Sequence, residues 1–148
     1  MKNRKSIFVL NAILFSAFYF LSCDKSEGEG SGSTDPGSDN AEIIEGFICS
    51  DVFDNKPRGI DNDFLQDDVV YLWLSWQNVS GKHEVKIIWV DPEDDIVETS
   101  VKSFNSTSGK QITFFFLDTS SSAPTGRWYA DIYIDDEFVR SYAFWINE

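Results

Sequence analysis

From Ala41 to Glu148 the chain is a succession of β-branched and aromatic runs of strand length, cut at short intervals by turn-forming residues. No window in this region carries a helical period. The apolar runs predict strands at Glu42 to Cys49, Val69 to Gln77, Glu84 to Val90, Ile96 to Lys102, Gln111 to Leu117, Arg127 to Asp135 and Phe138 to Ile146, seven in all. Between them stand Asn78-Val79-Ser80-Gly81, Asp91-Pro92-Glu93-Asp94-Asp95, Ser106-Thr107-Ser108-Gly109, the Ser120 to Gly126 stretch and the tight Asp135-Asp136. Short connections favour antiparallel neighbours. An all-β fold follows, an immunoglobulin-like antiparallel β-sandwich of about seven strands, with a small open barrel as the alternative.

Alternation assigns the core. Trp128, Ala130, Ile132 and Ile134 share one strand face, as do Leu72, Leu74 and Trp76, and Val85, Ile87 and Trp89. The opposite faces are apolar too, with Tyr71, Trp73, Tyr129 and Tyr133, so these strands are either central or carry an exposed aromatic strip.

Residues 1 to 22 have a basic start (Lys2, Arg4, Lys5), an apolar run from Ile7 to Leu21 and a small residue at Ser22. This is the layout of a secretory signal, too short and too poorly flanked for a stable membrane span. Phe20-Leu21-Ser22-Cys23 resembles the lipobox of bacterial lipoproteins, in the loosened form of the Bacteroidota. The resemblance implies cleavage between Ser22 and Cys23, lipidation of Cys23, and attachment to the membrane through that lipid alone. Asp24, Glu27 and Glu29 after the Cys favour an outer-membrane lipoprotein facing either the periplasm or the cell surface.

Residues 23–40 form a tether. From Asp24 to Asn40 there are four Gly, four Ser and five acids and no apolar side chain, a composition expected to be disordered, with a reach of at most about 60 Å. Removing residues 1 to 22 takes Lys2, Arg4 and Lys5 from the twelve cations, leaving nine against 25 acids, a net charge of -16. Such a surface repels nucleic acid. Cys49 is then the one cysteine without a lipid and is expected to be a buried core thiol.

The Asn78 to Gly81 turn, His83-Glu84-Val85, Trp89-Val90-Asp91-Pro92, the Gly126 to Asp135 strand and Phe144-Trp145-Ile146 together resemble small bacterial Ig-like accessory domains. The resemblance implies a non-catalytic sandwich and carries over no functional residues. The chain departs from that pattern at Asp136, where such hairpins often have Gly.

The single His83 excludes a metal site built on several imidazoles, and no Gly-x-Ser-x-Gly elbow accompanies it. No catalytic residue, resident metal or cofactor is expected. Calcium is the one ion with candidate ligands, Asp91, Glu93, Asp94 and Asp95, with a second acidic group at Asp61, Asp63, Asp67 and Asp68. Against these stands the reading of solvated turn acids. Tyr71, Trp73, Tyr129 and Tyr133 form a candidate ligand platform. The expectation is a monomeric, non-enzymatic envelope module that contacts another protein, or alternatively binds glycan in a polysaccharide-uptake system.

Overall fold

The computed structural model describes residues 41–148. The segments expected to be a signal peptide, a Ser22–Cys23 cleavage site, a lipidated Cys23 and a tether lie outside the described residues.

Nine strands form: β1 (Glu42–Phe53), β2 (Lys56–Ile60), β3 (Asp63–Leu65), β4 (Val69–Gln77), β5 (Gly81–Val90), β6 (Ile96–Ser106), β7 (Lys110–Asp118), β8 (Gly126–Ile134) and β9 (Glu137–Asn147). They make two sheets, of order β2-β1-β4-β7 and β3-β9-β8-β5-β6. All neighbours are antiparallel except β3 and β9. Setting aside the short β2 and β3, the sheets reduce to β1-β4-β7 facing β9-β8-β5-β6, the ABE and GFCC′ layers of an immunoglobulin-like sandwich. Among the described residues no helix is long and apolar enough to cross a membrane.

The seven expected strands all form, several longer by a few residues. Two more were missed. Strand β2 is Lys56-Pro57-Arg58-Gly59-Ile60, whose Pro and Gly read as loop; it is tolerated because it lies at a sheet edge and bonds on one side only. Strand β3 has three residues and no periodicity to detect, and its pairing with β9 is the one departure from an antiparallel fold.

The inward faces close one core. Leu72, Leu74 and Trp76 of β4, Val85, Ile87 and Trp89 of β5, and Trp128, Ala130, Ile132 and Ile134 of β8 are all buried in it, with Phe115, Leu117, Phe144 and Ile146. Phe144 is its hub, packed edge-on against Phe64 and Trp89 and tilted against Trp128. Gly46 on β1 makes room for Tyr142 of the opposite sheet, because a Cβ there would overlap the tyrosine hydroxyl.

Two-residue turns close two hairpins. Asp54 and Asn55 join β1 to β2, and Asp135 and Asp136 join β8 to β9; all four have positive φ (52°, 57°, 50° and 68°). That is the type I′ pattern, whose twist matches the flanking strands. Asp136 occupies a left-handed position that glycine would fill without strain.

Buried indoles need acceptors for their N–H groups. Trp76 Nε1 donates to Thr113 Oγ1 (2.9 Å) and Trp128 Nε1 to the Pro124 carbonyl (2.9 Å). Trp89 Nε1 is buried with no partner among the described residues. Replacing either Trp76 or Trp89 by Phe removes the same ring volume, but only Trp76→Phe also breaks a hydrogen bond and strands the Thr113 hydroxyl. Trp76→Phe is therefore expected to destabilise the domain by about 1–2 kcal/mol more than Trp89→Phe. Denaturant melts of the two variants check this; equal losses would contradict it.

Candidate functional site

Strand β4 is apolar on both faces, and its outward face is the centre of an aromatic surface. The register sets Ile60, Cys49, Tyr71 and Phe116 side by side across all four strands. The next row is Phe47, Trp73 and Phe114. Tyr71 and Phe116 rings lie 5.9 Å apart, and Phe47 stacks on Trp73 at 6.0 Å.

The β1–β2 hairpin covers part of this face. The Asn55 carbonyl at its tip accepts a hydrogen bond from Trp73 Nε1 (2.8 Å), which brings the tip back over β4 and leaves Trp73 only 5% exposed. The cover is incomplete. Phe116 is 53% exposed, Ile60 56% and Phe53 58%, with the Arg58 guanidinium 4.0 Å from the Phe53 ring centre. At the margin, Lys102 of β6 donates to the Phe114 carbonyl and sits over the Phe114 ring, and burial pushes its ammonium below the ordinary lysine range. Beside the hairpin tip a shallow groove of about 420 Å³ runs between Asn55, Ser75, Lys110, Gln111 and Ile112.

The four residues expected to form one platform are divided by the structure. Tyr71 and Trp73 lie on the outer face of the four-stranded sheet, whereas Tyr129 and Tyr133 lie on the outer face of the other, across the whole core. Alternation places residues on a strand face but does not say which faces of different strands coincide. Trp73 is also covered, so it is no open platform. On the five-stranded sheet, Arg127 lies 5.2 Å from the Tyr129 ring centre and Lys86 lies 5.1 Å from that of Tyr133. Phe138 meets Tyr133 edge-on. Lys86 also pairs with Asp136 (2.6 Å), which raises the lysine's pKa and lowers the carboxyl's. That pair is exposed and contributes little to stability.

Sequence reasoning did not single out Phe116, Ile60, Phe53 or Ile112. One signal was present: in Phe114-Phe115-Phe116 a two-residue period must turn at least one ring away from the core.

The acidic candidates for calcium have other work. Asp91 is buried, and its Oδ1 accepts from the backbone N–H groups of Glu93 (2.9 Å) and Asp95 (3.0 Å), closing the β5–β6 turn. A carboxylate oxygen so engaged is turned into its own loop, while Glu93, Asp94 and Asp95 are not gathered around it: among the described residues no group of three acids, His or Cys could hold a metal ion. In the other group, Asp61 accepts from Asn62 and Asp63, and Asp68 from Leu65. The structure thus places Asp91, Asp61 and Asp68 as caps of their own turns, with no gathered set of three ligands among the described residues.

His83 is buried and structural in its contacts. Its Nδ1 lies 2.7 Å from Asp135 Oδ2 and its Nε2 3.2 Å from the Ser80 carbonyl, so the ring ties the β8–β9 turn to the β4–β5 connection. Cys49 is buried, as expected, but on the outer side of the sheet between Ile60 and Tyr71, opposite the core-facing Ile48. Burial pushes its thiol pKa up, which lowers the thiolate fraction that reacts. A maleimide is expected to leave Cys49 unmodified in the native domain and to label it once denaturant unfolds the sheet. Rapid labelling of the native domain would show that Cys49 is not held buried.

No protein-family model matches the chain, and no curated protein matches it. Solved structures do. The C-terminal domain of wzt is similar with a TM-score of 0.52 at 10% identity, over 73% of this chain and 74% of that one. The Pseudomonas fluorescens alkylpurine DNA glycosylase AlkC, bound to DNA containing an abasic site analog, is similar with a TM-score of 0.52 at 12% identity, over 73% of this chain. This chain spans only 30% of the glycosylase's length. An immunoglobulin-like protein from Pseudomonas aeruginosa aligns with a TM-score of 0.42 at 10% identity, over 73% of this chain and 97% of that one. Likeness at such identities is likeness of fold.

Proposed function

We propose that this chain is a lipid-anchored, non-enzymatic binding or accessory module of a bacterial outer membrane, and that it contacts another envelope protein through the outer face of its four-stranded sheet. The observation that carries the reading is the apolar row Ile60, Cys49, Tyr71 and Phe116, which crosses every strand of that sheet and ends in an exposed ring at β7. Cys49 is buried within the row and Tyr71 half-buried, while Ile60 at one end and Phe116 at the other stay more than half exposed, and exposed apolar side chains of this size favour a cover. Aromatic rings set among polar neighbours are also the residues on which protein contacts depend most. Arg58, two residues from Ile60 on the same face of β2 and set over the Phe53 ring, suits an acidic or polar rim on the partner. The anchor rests on the Phe20 to Cys23 motif and the uncharged apolar run before it.

A glycan occupant is the second reading, favoured by the groove beside Asn55, where amide and hydroxyl side chains line about 420 Å³ of open space next to Ile112. It predicts saturable oligosaccharide binding that Gln111→Ala weakens about tenfold or more, the loss of roughly 1.4 kcal/mol.

Two experiments test the main reading. A photo-crosslinking phenylalanine analogue at Phe116, in the lipoprotein in its own membrane, is expected to yield a discrete protein adduct, whereas the same analogue at Tyr129 yields background. Adducts only at Tyr129 would contradict the assignment of the face. For the anchor, wild type is expected to incorporate labelled fatty acid and partition with membranes, and Cys23→Ala to lose both. A variant that stays in the membrane, with an unlabelled wild type, would refute the anchor.

A further inference from the structure

Strands β6 and β7 are the last strands of their respective sheets on the same side of the sandwich. Near the β6–β7 turn they are held together: Ser106 Oγ donates to the Lys110 carbonyl (2.8 Å) and Lys102 Nζ to the Phe114 carbonyl. Toward the other end, at Val97 and Leu117, a pocket of about 180 Å³ opens between the sheets. Trp128 lines it, with its Nε1 tied to the Pro124 carbonyl, Leu117, Ala123, Pro124 and Val97 contribute apolar walls, and Asp118, Thr119, Ser120 and Ser122 form its polar side. An apolar cavity of similar size, about 150 Å³, holds a benzene molecule in another protein. The space suits one aliphatic or aromatic side chain.

Strand β6 is eleven residues long and pairs only with β5, so its other backbone edge has no strand partner among the described residues. A bulge adds to this. Trp89 pairs with Glu98 and Val90 with Ile96, leaving Val97 unpaired at the rim of the pocket, 51% exposed. A free edge beside a side-chain pocket is the arrangement by which a sheet takes up an extended peptide: backbone bonds supply affinity and the pocket supplies selection. Charge defines the peptide further. Residues 41–148 contain 20 acids and eight cations, and Glu98, Asp94, Asp95 and Asp118 stand on or next to the strands that form this mouth.

We propose that the mouth between β6 and β7 binds an extended segment of a partner protein, added as a strand to the Ile96–Ser100 edge, with one apolar side chain in the Trp128 pocket and basic residues beside it. The site goes beyond the aromatic row on the other sheet and uses none of its residues: β7 turns Phe116 outward to that row and Leu117 inward to the pocket. Ala41, where the described domain begins, stands at the opposite pole, since Glu42 pairs with Gln77 and Gln77 with Lys110. The mouth therefore points away from the point where the domain joins the rest of the chain.

The test uses a nine-residue peptide of alternating Lys and Val with a central Leu, and the same peptide with Asp at the centre. Binding is followed by calorimetry and by hydrogen exchange at single-residue resolution. The Leu peptide is expected to bind saturably, to slow exchange in β6, and to lose at least tenfold in affinity when its Leu becomes Asp. Val97→Trp fills the mouth at an exposed position where the added ring need not disturb the core, and is expected to lose the same tenfold with an unchanged circular dichroism spectrum. Phe116→Asp is expected to leave the peptide's affinity unchanged, so loss of the aromatic contact and loss of this site are separate results. No saturable binding, protection outside β6, or equal affinity for wild type and Val97→Trp would overturn the proposal, the last showing charge attraction alone.

Discussion

Strand β4 is apolar on both faces, and most of the architecture follows from the need to cover both. Its inner face, Leu72, Leu74 and Trp76, is met by the opposite sheet, which places β5, β8 and β9 across from it and gathers the indoles of Trp89 and Trp128 around Phe144. Its outer face, Tyr71 and Trp73, has no second sheet. The β1–β2 hairpin substitutes for one at Trp73, held there by the Asn55 carbonyl. Tyr71 is left half-buried, with Phe116 exposed beside it. The same apolar strand thus stabilises the sandwich on one side and leaves a partly exposed aromatic surface on the other. Among the described residues no disulfide takes part, and Cys49 is a buried free thiol.

Much of this was legible in the sequence because the period of a strand is short and strict. The inward residues of β4, β5 and β8 could be named one by one, and all proved buried. The double apolar character of β4 was also visible, as a choice between a central strand and an exposed strip; the structure makes it both, since β4 is central in its sheet and its outer face is partly open. What could not be read was the pairing between strands distant in sequence. Tyr71 and Tyr129 sit on outward faces by the same rule, yet belong to opposite sides of the molecule. Likewise Lys56 to Ile60 looked like loop because its Pro and Gly weaken a strand, and only the neighbouring β1 makes it one. The acids of the β5–β6 turn suggested an ion site by composition, but Asp91 satisfies its own backbone instead.

The two poles of the sandwich differ. The pole carrying Ala41, Gln77 and Lys110 joins the preceding chain and holds the β6–β7 edges shut. At the other pole those edges part over Trp128. The aromatic row crosses the side of the molecule between the poles. Small sandwiches support many unrelated roles through surfaces of this kind, without a cleft or a cofactor.

The central claim is that the outer face of the four-stranded sheet, and not that of the five-stranded sheet, is covered in the native envelope. Hydrogen–deuterium exchange by mass spectrometry, comparing the lipoprotein in its isolated envelope with the purified 41–148 domain, tests it most directly. The account predicts slower exchange in the envelope for the segments around Lys56 to Ile60 and Ile112 to Phe116, with Arg127 to Tyr133 unchanged. Protection confined to Arg127 to Tyr133, or identical exchange in the two preparations, would contradict it.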